Sequence, residues 1–360
     1  MFGWITDGLY AVLNWIQSWS GAWGIAIILF TIMIRTALTP LDIKSRASMR
    51  KTQKLQPQLV ALQKKYANDK EKLNAKTAEL YKKAHVNPLS SCLPMLLTWP
   101  ILIAVFGAMR TAANKALLDQ VAQILNGQQP TMEPFLWIKN LWNPDNPFYT
   151  ALPNYDTLRM VSEAEWKTWF TNLGGTLPVQ LQSFSAEWFN SLSADVLKNI
   201  PESLRTTLME GGLTLDCFTG NNLQPTILLI CEKMKAYEFY TTGIANLPGA
   251  TIPLVNWSVK NMYNGFLLLP ILSAASQIVM TKIMGNGTPQ PAEGQPNTGK
   301  FMQWFFPIVS LWICLGYSAA FALYWVAGNL VSMGQTFLIN KYLDKKEQMA
   351  APVAGEGSVK

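Results

Sequence analysis

Charged residues are scarce in this 360-residue sequence. Lys, Arg, Asp and Glu together make up 14% of it, against roughly 25% in an ordinary soluble domain. So few charges could hardly cover the surface of a soluble protein of this size, and a hydrophobic content of 49% excludes intrinsic disorder. Four cysteines are too few for a disulfide-built scaffold. The composition therefore indicates a membrane protein with a substantial water-exposed part.

Catalytic constellations are also missing. The single histidine, His85, has no partner at the spacing of a metal site or a catalytic triad, and the charge-free runs contain no carboxylate pair. The sequence has no glycine-rich phosphate loop, dinucleotide fingerprint or metal-ligand cluster. We therefore predict a protein that is not an enzyme and that needs no cofactor and no metal.

Long runs without any charge locate the predicted membrane spans. A helix needs about 20 apolar residues to cross a bilayer, so the charge-free run 301–340 holds two spans. The predicted fold class is an all-α polytopic membrane protein with five transmembrane helices. These spans are 20–41, 89–112, 261–282, 302–317 and 318–341.

The charges between the spans predict the orientation. Segment 42–88 contains 12 basic and 4 acidic residues, and Lys and Arg concentrate on the cytoplasmic side of membrane proteins. The N-terminus is then outside the plasma membrane and the C-terminus is in the cytoplasm. Segment 113–260, with 9 basic and 13 acidic residues, becomes extracellular. The net charge of +7 thus reflects topology and gives no reason to predict DNA binding.

Residues 1–19 predict an extracellular amphipathic helix that lies in the membrane interface, because apolar residues recur in it at helical spacing. The alternative is an extension of the first span, which would be too long for one straight crossing. The first basic residue is Arg35, so we expect no secretory signal peptide. The recurring residues are Ile5, Leu9, Val12, Ile16 and Trp19.

Segment 42–88 predicts a basic helical hairpin, interrupted near Pro57 and turning at Asn68 and Asp69. Contact with anionic lipid head groups is the simplest role, since each basic residue near such a surface contributes about 1 kcal/mol. Binding of ribosomal RNA or of an acidic partner is the alternative. The candidate binding residues are Lys44, Arg46, Arg50, Lys51, Lys64 and Lys65.

The remaining connections are less informative. Cys217 and Cys231 both lie in the extracellular segment, where a disulfide between them is one option that nothing in the sequence forces. Cys92 and Cys314 fall in spans and are predicted to be buried apolar residues. We predict that segment 283–301 is a solvated cytoplasmic loop and that segment 342–360 is a cytoplasmic tail.

Arg35 places a charge inside the first span, which costs free energy. It precedes Asp42 by about 10 Å along a helix, and a charge near mid-bilayer costs about 2.5–3.5 kcal/mol on insertion scales. Arg keeps its proton, so it either extends to the cytoplasmic interface or lines a water-filled cavity. No predicted span contains Asp, Glu or His. A cationic cavity without its own anion would suit an anion supplied by a lipid, a solute or another polypeptide.

Polar residues in the spans favour the cavity. Thr31, Arg35 and Thr39 share one helical face. Hydroxyl groups commonly serve in packing, whereas Asn and Gln are costlier to bury and therefore more informative. The other polar residues of the spans are Ser91, Thr98, Ser273, Ser276, Gln277, Asn329, Ser332 and Gln335.

An ordered series of motifs resembles the YidC-type membrane protein insertases. Each motif is weak alone, but their order together with five spans and one basic hairpin is specific. The motifs are Arg35–Leu41, Leu55–Pro57, Lys65–Tyr66, Asn68–Asp69, Glu79–Lys83, Asn87–Leu89, Cys92–Pro94, Pro100, Phe135–Ile138, Leu269–Leu272, Phe306–Pro307, Leu323–Trp325, Asn329 and Gln335.

Two features depart from the usual family pattern. Thr98 stands where the family usually has Gln, which shortens the polar lining at that position. The extracellular segment is also enlarged, so residues 145–250 resemble a helical insertion into a five-span form like that of Gram-positive bacteria.

The resemblance implies an insertase and chaperone for nascent membrane proteins. It also implies a hydrophilic groove open to cytoplasm and lipid, in which Arg35 receives an acidic or polar part of the substrate. A Sec-type translocon, the ribosome and the signal recognition machinery are further partners that it leaves open. The implied groove residues are Arg35, Thr31, Thr39, Thr98, Gln277, Trp325, Asn329 and Gln335.

Two other classes of function compete with this interpretation. An anion or lipid transporter would use Arg35 as its binding charge, but transporters usually show internal repeats, which are not seen here. A membrane scaffold would present the extracellular domain to a partner, and Arg35 would then only extend to the interface.

Overall fold

The computed structural model describes residues 3–84, 93–252, 257–285 and 298–350. It is mostly helical, which agrees with the predicted class. Within these residues, two helices are long and apolar enough to cross a membrane, Trp23–Lys54 and Pro100–Leu125. Two shorter apolar helices are Leu268–Ile283 and Gln303–Gly316. His85, Ser91 and Cys92 lie outside the described residues, as do the side chain of Thr98, most of the predicted loop 283–301 and the end of the tail.

Eight helices form the apolar helix cluster and the hairpin. Helix α1 packs on α2 and α5, α2 packs on α15, and α13 lies between α14 and α15. The bounds are α1 Gly3–Ser20, α2 Trp23–Lys54, α3 Gln56–Lys65, α4 Lys70–Lys83, α5 Leu93–Leu125, α13 Leu268–Gly285, α14 Thr298–Gly316 and α15 Ala319–Ala350.

Short helices build the segment between α5 and α13. They are α6 Tyr155–Leu158, α7 Glu163–Asn172, α8 Ala186–Ser191, α9 Ala194–Leu197, α10 Glu202–Gly211, α11 Leu223–Met234 and α12 Glu238–Ile244. Two antiparallel strands follow, β1 Asn246–Ile252 and β2 Trp257–Lys260. This two-stranded sheet lies between α12 and α13.

The helical conformation is interrupted between α1 and α2, so α1 is a separate helix and does not extend the first span. Gly21 adopts φ +71°, and its N–H bonds to the carbonyl of Gln17, as expected where glycine ends a helix. Leu13 and Ile16 form the buried face of α1. Trp19, a member of the predicted apolar interfacial face, is exposed.

The hairpin differs from the prediction at its root. Helix α2 continues past the predicted end of the span, residue 41, to Lys54, so the first arm of the hairpin is partly an extension of the span helix. The predicted break near Pro57 is confirmed, because Pro57 lies in the first turn of α3. The predicted cap is confirmed too, since the Asp69 carboxylate accepts the N–H of Lys72 at 3.0 Å.

Buried hydrogen bonds hold the segment between α5 and α13 together and fasten it to the start of α15. The Asn264 side-chain amide donates to the carbonyls of Asn140, Asn143 and Pro144 at 2.8–2.9 Å. At the start of α15, the N–H groups of Ala319 and Ala320 donate to the carbonyls of Asn143 and Leu141. The same loop therefore satisfies donors that the first turn of α15 leaves free.

The segment between α5 and α13 has its own apolar core. The indole of Trp166 is fully buried and stacks on Phe218 with ring centres 5.7 Å apart. Cys217 and Cys231 are both buried there, and both are free thiols, so the structure does not join them in the disulfide considered above. Desolvation raises the pKa of the Cys231 thiol far above its ordinary value, which keeps it protonated and unreactive.

Candidate functional site

Arg35 lies where α2 meets α15. Its side chain is partly exposed, and its guanidinium packs against Gly328, where a Cβ atom would lie 3.4 Å from Nη2. A glycine at this position leaves room for the guanidinium between the two helices. Among the side chains that the structure describes, Arg35 has no hydrogen-bond or ion-pair partner for its guanidinium. Its positive charge is therefore available to a ligand.

The polar stripe of α2 is held to α15 by one amide. Gln335 donates from Nε2 to the carbonyl oxygen of Arg35 at 2.9 Å and to the hydroxyl of Thr39 at 2.8 Å. Thr39 in turn donates to the Arg35 carbonyl at 3.1 Å. Thr31 is fully buried, and its hydroxyl donates to the Ile27 carbonyl at 2.6 Å. The predicted grouping of Thr31, Arg35, Thr39 and Gln335 is thus present.

A second polar group lies between α13, α14 and α15. Asn329 donates from Nδ2 to the hydroxyl of Ser276 at 2.9 Å, and the hydroxyl of Ser310 donates to that of Ser273 at 3.1 Å. Gln277, next to Ser276, is partly exposed, and no described residue hydrogen-bonds to its amide. Hydrogen bonds between membrane helices contribute about 0.6 kcal/mol each on average. This cluster therefore helps to hold α13 against α15.

Several buried polar atoms on α15 have no partner in the described part of the chain. They are Nε1 of Trp325, Oγ of Ser332 and Oε1 of Gln335. An unsatisfied buried polar atom costs about 1–3 kcal/mol, so water or a polar ligand at these atoms would be favourable. Together with Arg35 they form a set of polar groups on α15 and α2.

Asp42 is a neighbour of Arg35 that sequence reasoning placed outside the span. Because α2 continues to Lys54, Asp42 is half-buried on the same helix, with the charges of Arg35 and Arg46 acting on its carboxylate. The spacing of seven residues, about two helical turns, places Asp42 on the same helical face as Arg35. Arg35 also acts electrostatically on the buried Tyr324 of α15.

The structure divides the predicted hairpin residues into two groups. Arg46 donates to the Thr336 hydroxyl at 2.7 Å, and Arg50 donates to Asp344 at 2.6 Å, so both are engaged with α15. Lys44, Lys51, Lys64 and Lys65 point outward and are exposed. These four remain candidates for contact with a partner or lipid head groups, whereas Arg46 and Arg50 position the hairpin.

The far end of the hairpin carries a charged groove between its two arms. A cavity of about 410 Å³ lies there, with Leu62 and Leu80 among its lining residues and Lys65, Lys76 and Lys83 around it. Hydrogen bonds from Lys76 and Lys83 lower the pKa of Glu79 to about 2, so this carboxylate stays ionised at neutral pH. The predicted basic surface is thus present, and the negative charge of Glu79 within it is balanced by Lys76 and Lys83.

The long apolar helices and the polar groups between α2, α13 and α15 define a helical membrane protein with a hydrophilic face inside its helix cluster. The chain belongs to the family described as 60Kd inner membrane protein, whose model matches residues 15–191 and 219–347. The family resemblance predicted from the motifs is thereby confirmed. The matched ranges enter both ends of the predicted insertion 145–250 and omit residues 192–218.

Curated relatives carry the name membrane protein insertase YidC. The protein of Fusobacterium nucleatum is 44% identical over 138 residues, which is 38% of this chain and 59% of the relative. That of Anaeromyxobacter sp. strain Fw109-5 is 38% identical over 218 residues, 60% of this chain and 33% of the relative. That of Clostridium tetani is 39% identical over 124 residues, 34% and 50% respectively. The chain thus spans one third to about three fifths of the length of these relatives.

Proposed function

We propose that the chain is a membrane protein insertase and chaperone of the plasma membrane. Its five helices would surround a hydrophilic groove that opens to cytoplasm and lipid, with the N-terminus outside and the C-terminus in the cytoplasm. The observation that supports this most directly is the Arg35 guanidinium, which has no hydrogen-bond or ion-pair partner among the described residues yet lies among polar groups of α2 and α15. Membership of the 60Kd inner membrane protein family supports the same function.

The mechanism follows from the cost of moving polar groups through hydrocarbon. Transfer of an amide or hydroxyl without a hydrogen bond costs about 2–7 kcal/mol, and an isolated charge costs far more. A wet groove that reaches part of the way across shortens this crossing. Arg35 pairs transiently with an acidic residue of the substrate, and Trp325, Ser332 and Gln335 offer hydrogen bonds to its backbone. The apolar part of the substrate then partitions into lipid, which requires no chemical energy source.

The exposed hairpin lysines supply the first contact. Lys44, Lys51, Lys64 and Lys65 would attract anionic lipids or an acidic delivery partner, such as part of the signal recognition machinery, a Sec-type translocon or a ribosome. The groove around Lys65, Lys76 and Lys83 has the charge for such a partner. These contacts would bring the nascent chain close to the cytoplasmic end of α2.

Complementation tests the proposal. Cells depleted of their own insertase would receive this protein, and the insertion of a single-span substrate with an acidic extracellular end would be measured by protease protection. We expect rescue by the unaltered protein, loss of most of it with Arg35→Ala, and retention with Arg35→Lys if charge alone suffices. Lys345→Ala is the matched control, because it removes an exposed charge of α15 outside both the polar groups and the hairpin.

The outcomes separate the competing functions. Failure of the unaltered, correctly inserted protein to rescue would reject the insertase function. Equal rescue by Arg35→Ala and unaltered protein would remove Arg35 from the mechanism and leave the insertase function standing. Absence of rescue combined with Arg35-dependent uptake of an anion or lipid into vesicles would favour the transporter alternative.

A further inference from the structure

A cavity separate from the polar groups around Arg35 lies between the middle of α5 and the C-terminal end of α14. Its volume is about 430 Å³. Helix α5 contributes Met109 and Leu117, which are buried, and α15 contributes Phe321. The cavity therefore has an apolar floor built from the helices that carry the extracellular segment.

The rim of this cavity is charged. Its charged lining groups are the guanidinium groups of Arg110 and Arg159 and the carboxylate of Asp156, which leaves one excess positive charge. Arg110 is exposed and donates to the Met160 carbonyl, and Arg159 lies 3.5 Å from the Asp156 carboxylate. Guanidinium groups bind phosphate through several N–H donors at once. An anionic group is thus the ligand that fits the rim.

The cavity opens towards the surface that would face lipid. Trp304, Ile308 and Trp312 recur every four residues on α14 and are 65%, 62% and 73% exposed. Such an exposed apolar stripe on a membrane helix is a lipid-contacting face. Trp312, its outermost member, also lines the cavity. The apolar floor is therefore continuous with the lipid-facing surface of α14.

A second cavity extends the first one towards the aqueous side. Its volume is about 540 Å³, and it shares Asn146, Tyr149, Asp156 and Trp257 with the first. Trp257 is half exposed and packs on Phe148 with ring centres 5.0 Å apart. The combined cleft thus passes from an apolar end at the membrane helices to a polar end in the extracellular domain, which is the polarity gradient of a phospholipid molecule.

We infer that this cleft binds an anionic phospholipid of the outer leaflet. One acyl chain lies over Met109, Leu117 and Phe321, the phosphate contacts Arg110 and Arg159, and the head group extends towards Trp257. The inference depends on the membrane placement of the proposed function and not on insertase activity. A bound lipid there would join the extracellular domain to α5 and α14.

Native mass spectrometry of the full-length protein in detergent tests the inference. The probes are phosphatidylglycerol, phosphatidylcholine and the soluble head group glycerophosphoglycerol. We expect retention in the order phosphatidylglycerol above phosphatidylcholine, and no retention of the soluble head group. Arg110→Gln should reduce the preference for phosphatidylglycerol about fivefold, which corresponds to about 1 kcal/mol for one basic residue.

Two further variants test the apolar part of the site, and one control variant tests the effect of charge elsewhere. Trp312→Ala should weaken the binding of both phospholipids, and Ala113→Phe should do the same by filling the floor. Lys198→Gln removes a positive charge elsewhere in the extracellular domain and should change neither.

Unchanged phosphatidylglycerol retention in Arg110→Gln and Trp312→Ala would overturn the inference. So would a photo-crosslinker at position 312 that labels a nascent chain but no lipid. Complementation by the unaltered protein is scored separately, so failure of the lipid site and failure of the insertase function are distinguishable.

Discussion

Gln335 of α15 donates a hydrogen bond to the Thr39 hydroxyl of α2 at 2.8 Å, across 296 residues of sequence. The same Nε2 reaches the Arg35 carbonyl at 2.9 Å, while Oε1 of this amide stays buried without a described partner. One side chain therefore fixes the backbone that carries Arg35 and still presents an unused acceptor. This relationship connects the stability of the α2–α15 contact to the proposed groove.

Replacement of Gln335 by alanine should loosen this contact. Interhelical hydrogen bonds in membranes contribute about 0.6 kcal/mol on average, so the loss of two should cost about 1 kcal/mol and lower the midpoint of thermal unfolding in detergent. Insertion activity should fall as well, because Arg35 loses its fixed position. Leu330→Ala, on the exposed face of the same helix, is the control for shortening a side chain. Equal effects of the two substitutions on activity would argue against the positioning role.

Asp145 should be a stronger determinant of stability. Its buried carboxylate accepts the N–H groups of Phe266 at 2.8 Å and Leu269 at 2.7 Å and the indole N–H of Trp137 at 3.1 Å. It thus caps the start of α13 from a loop far away in sequence. Asp145→Ala leaves three donors without an acceptor and should cost about 3 kcal/mol. Asp145→Asn, which keeps the shape, should cost less.

Chemical unfolding of the purified protein measures this cost. The exposed Asp156 provides the matched control, since Asp156→Asn changes the same charge without removing a buried acceptor. A midpoint for Asp145→Ala that equals that of Asp156→Asn would show that the cap contributes little to the fold.

Part of this architecture can be predicted from the sequence and part cannot. The polar stripe Thr31–Arg35–Thr39 and the cap at Asp69 depend on residues within one or two helical turns, where spacing alone fixes the neighbours. The caps of α13 and α15 depend on pairs more than 120 residues apart, such as Asp145 with Leu269. No periodic pattern in one segment carries that information. The continuation of α2 from the predicted span into the hairpin depends on a related kind of contact, since Arg46 and Arg50 bind α15 beyond residue 41.

The contact between the hairpin root and the last helix should depend on salt. Arg50 lies 2.6 Å from the Asp344 carboxylate and also donates to Asn340, and Lys54 lies 2.8 Å from Glu347. Asp344 is largely exposed, so the Arg50–Asp344 coupling energy should be about 0.2–1 kcal/mol.

A double-mutant cycle with Arg50→Ala and Asp344→Ala measures this coupling. It should shrink when the salt concentration rises from 50 mM to about 1 M, because the Debye length falls to roughly 3 Å. A coupling unaffected by salt would mean that packing, and not charge, joins the two helices.

Gly24 should be intolerant of even one added methyl group. A Cβ atom at this position of α2 would overlap the Phe135 ring of the loop that follows α5. That loop is held in place because Phe135 and Ile138 exchange backbone hydrogen bonds. Alanine favours helix over glycine by about 1 kcal/mol, but relief of this overlap should cost about 1–3 kcal/mol. Gly24→Ala should therefore lower the unfolding midpoint. In α1, Gly8 has nothing within 4 Å of an added Cβ, so Gly8→Ala should be neutral or stabilising. Equal midpoints for the two variants would show that the loop moves aside without cost and does not hold the outer end of α2.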